Sequence, residues 1–198
     1  MPDLNQTFCT AFEGTRRIAS GELGQVARKT KDVVDRNGRA PVLIFDDSTS
    51  EQIEVDFRGS AEDVAARLAA LSGKETAAAA PRGPGRPKLG VVAREITLLP
   101  RHWEWLNRQP GGASVALRKL IDEARNSHQD RDRVRQAQEA AYRFMSAMAG
   151  NEPGFEEATR ALFAKDLQRL RALTAAWPDD IRDHAMKLAG PALERAAE

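Results

Sequence analysis

Residues 73–90 read GKETAAAAPRGPGRPKLG, and they divide the sequence. Pro81, Pro84 and Pro87 fall too close together for a helix interior or a sheet ladder, and the glycines between them remove any remaining preference for regular structure. Residues 77–80 are all alanine, and Arg82, Arg86 and Lys88 alternate with the breakers. Such a segment reads as an exposed, flexible basic linker. It separates an α+β module at residues 1–72 from a strand-helix-helix segment at 91–127 and a helical region at 128–198.

Before the linker, residues 7–12 read as a strand and 16–19 as a short second one after the Glu13-Gly14 turn. Leu23, Val26, Ala27, Thr30, Val33 and Val34 then recur at helical spacing, with Ser20 as the expected N-cap and Asn37-Gly38 as the stop. Residues 42–45 and 52–57 read as a hairpin across the turn of Asp46, Asp47, Ser48, Thr49 and Ser50. Ser60 with Asp63 forms a short-acid capping box for a helix buried through Val64, Leu68 and Leu71. The expected order is β-β-α-β-β-α.

After the linker, residues 91–99 read as a strand closed by Pro100, and 102–108 as a short helix ended by Pro110-Gly111-Gly112. Ala113, Ala116, Leu117, Leu120, Ile121 and Ala124 make the stripe of the next helix. Periodicity resumes at Ala137, Ala140, Ala141, Phe144, Met145 and Met148, a stripe that reads as core rather than a cofactor box. One long helix is expected over 155–175 and a last one after Pro178, together forming an antiparallel bundle.

The 198 residues are 41% hydrophobic and 30% charged, enough apolar side chain to bury a core. The formal net charge of +1 conceals an asymmetry: residues 73–125 carry 10 basic and 5 acidic side chains, whereas the flanking stretches are slightly acidic. Cys9 is the only cysteine, which excludes an internal disulfide and a multi-cysteine zinc site. No apolar run approaches the roughly 20 residues of a membrane span, and the start lacks a secretory pattern, so a cytoplasmic protein is expected.

Chemistry-bearing motifs are sparse. His102, His128 and His184 have no metal-ligand spacing, and no nucleophile motif or phosphate loop is present, so neither a cofactor nor a catalytic residue is assigned. Asp46-Asp47 could hold a divalent cation or simply favour the turn. Asp179-Asp180 stand where carboxylates complement a helix dipole. Asp130-Arg131-Asp132-Arg133 reads as a solvated helix start. Trp103 and Trp105, two apart, cannot share one helix face.

Gly85-Arg86-Pro87-Lys88 resembles the second half of an AT-hook, whose arginine lies in the narrow minor groove of A·T-rich DNA; Pro84 stands where the first half would place another arginine. Residues 94–125 resemble a ribbon-helix-helix unit, carried by Leu99-Pro100, Trp105-Leu106, Ser114 and the stripe Leu117, Leu120, Ile121, Ala124. That resemblance implies a homodimer whose paired strands enter the major groove. Here Ile96 and Leu98 accompany Arg94 on the groove-facing side, where apolar side chains cannot read base edges by hydrogen bonding. Candidate nucleic-acid contacts are Arg82, Arg86, Lys88, Arg94, Arg101, Arg118 and Lys119. Gly85-Arg86-Pro87-Lys88, residues 96–103 (ITLLPRHW) and residues 177–182 (WPDDIR) together resemble a bacterial uncharacterised family, the domain of unknown function 2239 type. A DNA-associated protein is the leading expectation. A protein-interaction scaffold with the linker as a tether, or an enzyme with a site between the halves lined by Asp46, Asp47 or His184, stands beside it.

Overall fold

The computed structural model describes residues 7–36, 40–73, 92 and 94–193. The chain forms two compact units, one of Met1–Ala77 with Arg133–Glu198 and one of Ala78–Asp132. The expected stop at Asn37-Gly38 and the linker residues Arg82, Arg86 and Lys88 lie outside the described residues.

The first unit starts with β1 (Phe8–Glu13), β2 (Arg16–Glu22), α1 (Leu23–Asp35), β3 (Val42–Asp46) and α2 (Ala61–Gly73). The strands make one antiparallel sheet in the order β2-β1-β3. Gly14, at φ 56°, turns β1 into β2, and its N–H donates to the Pro41 carbonyl at 3.0 Å. A Cβ at Gly14 would meet Ala40 at 3.1 Å, so both conformation and space favour glycine. β1 is buried on both faces: Cys9, Thr10, Ala11 and Phe12 are all fully inaccessible. That is why it reads as an unbroken run rather than an alternation.

Each sheet face has its own core. Cys9, Ala11 and Ile44 pack with Leu23 and Val26 of α1 and with Leu68 of α2. On the other face Phe12 and Phe45 pack with residues from far along the chain: Phe144 and Met145 near the end of α4 (Gly112–Met148), Leu162 of α5 (Phe155–Phe163), Leu170 of α6 (Leu167–Thr174) and Ile181 of α7 (Asp179–Leu193). Phe12, Phe45 and Phe144 meet pairwise at centroid distances of 6.3, 5.4 and 5.2 Å. Tilted and edge-on aromatic contacts contribute about 0.5–1.5 kcal/mol each beyond the area they bury. The boundary drawn in the sequence at residues 72 and 73 is therefore crossed by a shared core, which places residues 7–73 and 133–193 in one unit. A small sheet followed by a mainly helical region makes the fold α+β.

Three expectations are corrected. The strand expected over residues 52–57 makes only a bridge between Gln52 and Phe45, with the Ile53 N–H on the Ile44 carbonyl at 2.8 Å. Arg67 of α2 then takes the carbonyls of Asp56 and Arg58 as acceptors. The segment's alternation survives as half-buried Ile53, Val55 and Phe57 without a ladder. Ser20 lies within β2, so Glu22 holds the N-cap position of α1, with no side-chain cap bond. The helix expected over 155–175 is broken by a Schellman turn: the Lys165 N–H donates to the Leu162 carbonyl and the Asp166 N–H to the Ala161 carbonyl. Lys165 holds the left-handed position at φ 59°, and Asp166 caps α6 through the Arg169 N–H. The Ser60–Asp63 capping box is formed in both directions, at 2.8 and 3.2 Å.

The second unit holds α3 (Pro100–Asn107) and the first part of α4, joined by a turn with Gly111 and Gly112 at positive φ. α4 is continuous through residues 126–136, which are polar apart from Val134 but contain no breaker, so Asp130–Arg133 lies mid-helix. Residues 92 and 94–99 carry no strand. A ribbon strand takes its ladder from a second chain, and a single chain supplies no partner strand for it.

Candidate functional site

In the first unit, the turn after β3 carries the densest polar network. Asp46 Oδ1 accepts the N–H groups of Ser48 and Thr49 at 2.7 and 2.9 Å and the Ser48 hydroxyl at 2.5 Å. Burial pushes the Asp46 carboxyl up, but these donors outweigh it and hold the group below the usual carboxylate range. Ser50 sits at φ 55°, buried, with its hydroxyl unpartnered. A non-glycine residue held there costs of order 1–3 kcal/mol, so the turn persists because its surroundings over-determine it.

The neighbouring Asp47 faces the helices. Its Oδ1 accepts the Thr10 hydroxyl at 2.6 Å, and its Oδ2 lies 2.7 Å from Lys187 Nζ. Thr10 in turn shares a hydrogen bond with Ser20 across β1 and β2 at 2.9 Å. Arg143 of α4 donates to the Thr49 carbonyl, and the Arg17 N–H donates to Asp180 at 2.8 Å. Asp179-Asp180 thus open α7 as a helix-start pair, with Asp180 also anchoring β2. Burial, followed by the nearby Asp47 and Asp46, pushes the Cys9 thiol up to about 12, which keeps it protonated and unreactive.

His184 is 1% exposed, and neither ring nitrogen has a partner among the described residues. Its ring lies 4.5 Å from Phe144 and 5.4 Å from Phe12, centroid to centroid. Burial lowers its pKa to about 4, so the imidazole is neutral at pH 7. It is a core residue: the cavity beside Asp47 and Lys187 is lined by Asp47 but not by His184. Among the described residues no group of three or more His, Cys, Asp or Glu side chains could hold a metal ion.

The second unit carries the described candidate contacts. Arg94, Arg101, Arg118 and Lys119 are all exposed, and none forms an ion pair among the described residues. In the first unit Arg58, Arg67, Arg160, Arg182 and Lys187 each lie against a carboxylate. Leu106 and Ala116 are buried in the second unit, while Ile96, Leu99, Trp103, Trp105, Leu120 and Ile121 are exposed. The stripe of α4 read as core therefore faces outward at Leu120 and Ile121. The Asp47–Lys187 pairing is what the sequence reading missed: Asp47 stood out as a turn acid, and nothing in the pattern linked it to a lysine in the last helix.

An α+β unit with a shared aromatic core, interrupted in the chain by a helix pair with its apolar side out, is the architecture to be placed among known proteins. The chain belongs to the family described as an uncharacterised protein conserved in bacteria (DUF2239), which matches residues 8–189. No curated protein and no solved structure matches it. Among the described residues no helix is long and apolar enough to cross a membrane.

Proposed function

We propose that this chain is a dimeric, DNA-associated protein whose second unit pairs with its own copy and presents basic side chains to phosphates. The observation that carries the reading is the combination in one small unit of an open apolar surface, from Leu99 to Ile121, with the cations Arg94, Arg101, Arg118 and Lys119, which form no ion pair among the described residues. A unit that buries so little of its apolar surface alone gains stability by covering it with a second copy, as small units commonly must. Unpaired cations release counterions when they meet phosphates. Arg82, Arg86 and Lys88 extend the same basic stretch in sequence.

The test is a mobility-shift titration of a random-sequence duplex at two salt concentrations. Affinity falls with salt at a logarithmic slope of roughly −0.9 per phosphate contacted, and combined Arg118→Ala and Lys119→Ala substitutions reduce that slope by about 2. No binding at low salt, or an unchanged slope, overturns the reading. The exposed Trp103 and Trp105 also favour a second reading, a protein-interaction module, since aromatic side chains anchor interfaces. In that case the protein is monomeric in solution and the duplex does not bind.

A further inference from the structure

We propose that the groove between α4, α7 and the turn after β3 is a binding site for a small carboxylate bearing a short branched aliphatic tail. The cavity measures about 200 Å³ and lies wholly within the first unit. At about 30 Å³ for each water-sized group, it holds on the order of six heavy-atom groups.

The charges at its rim fix the sign of the ligand. Arg133 and Lys187 both line it, and Arg133 is exposed and pairs with no carboxylate among the described residues. The acid at the rim, Asp47, has both oxygens occupied, one by the Thr10 hydroxyl and one by Lys187. Its side chain is 15% exposed against 55% for Lys187, so the carboxylate is turned inward and the ammonium outward. The Ser48 hydroxyl is spent on Asp46, which leaves the Gln136 amide as the remaining side-chain donor in the lining. A guanidinium, an ammonium held in place by its own counter-ion, and an amide together suit one carboxylate head.

The rest of the groove fixes the tail. Ala137 and Ala140, one turn apart on α4, leave a hollow that larger side chains would fill, and Leu188 and Pro191 of α7 close it. Further along α4, outside the lining of this groove, Glu139 pairs with Arg135 and Arg143 is tied to the Thr49 carbonyl. The anionic head therefore belongs at the Arg133 end. A free short-chain acid and the C-terminal residue of a peptide share this chemistry.

Calorimetric titration of the full chain with isovalerate and with the tripeptide Gly-Gly-Leu tests the site, with isopentanol, acetate and the C-terminally amidated tripeptide as controls. Saturable millimolar binding of isovalerate alone assigns a free acid, and binding of the tripeptide alone assigns a chain end; either supports the site. Arg133→Gln weakens binding by about tenfold or more, the loss expected for a charge-assisted hydrogen bond, while Arg171→Gln on α6 changes nothing. Arg133 is exposed, so its replacement leaves the thermal midpoint unchanged. Absence of binding by both probes, equal binding of isopentanol, or full affinity in Arg133→Gln overturns the proposal.

Discussion

Lys187 Nζ lies 2.7 Å from Asp47 Oδ2, joining the last helix to a turn 140 residues earlier, while the other oxygen of that carboxylate accepts a hydroxyl from Thr10. The two halves of this arrangement differ in weight. Lys187 is more than half exposed, so Lys187→Met lowers stability by less than about 1 kcal/mol. Asp47→Ala also removes the acceptor of a fully buried hydroxyl and costs about 1–3 kcal/mol. Urea midpoints measured at constant m-value separate the two variants.

His184 makes stability depend on pH. Its pKa falls from 6.5 to about 4 on folding because the charged form is buried among aromatic rings. The unfolded state therefore binds more protons between those values. The contribution is fully present above pH 6.5, declines as pH falls toward 4, and is flat below. A shift of this size corresponds to roughly 3 kcal/mol. His184→Leu flattens the urea midpoint across that window relative to the parent.

Lys165 occupies the left-handed position after α5, where a Cβ costs about 1–2 kcal/mol relative to the right-handed form. It is exposed, so nothing is lost when its side chain is removed. Lys165→Gly raises the thermal midpoint, with a gain of about 1 kcal/mol.

Phe12 belongs to the core shared by β1 and the closing helices. Phe12→Ala costs about 3–5 kcal/mol. Because that core holds both Phe45 and Trp177, fluorescence of the buried Trp177, isolated by replacing Trp103 and Trp105 with Phe, reports one cooperative transition of the first unit in the parent and in the variant.

The legible parts of this fold are those decided within a few residues. The Ser60–Asp63 box, the stripe of α1 from Leu23 to Thr30, and the runs at β1 and β3 all follow from local spacing. Residues 52–57 show what alternation reports: which side of a segment faces a core, not whether its backbone finds a ladder. The break at Lys165 was hidden because the left-handed position carries no glycine, and continuous α4 because polarity alone does not end a helix. The Asp47–Lys187 contact and the groove beside it depend on tertiary closure, to which no periodicity refers. The exposed stripe at Leu120 and Ile121 reads as core in sequence, since spacing shows that a face is apolar and not what covers it.

Synthesis makes the central strand of the sheet well before α7, the helix that completes its aromatic side. At about 5–20 residues per second, on the order of ten seconds of synthesis separate Phe45 from α7. During that interval the native cover of Phe12 and Phe45 is incomplete, so the nascent chain exposes an adhesive surface whose protection depends on how promptly α7 emerges or on a chaperone holding the ribosome-bound intermediate.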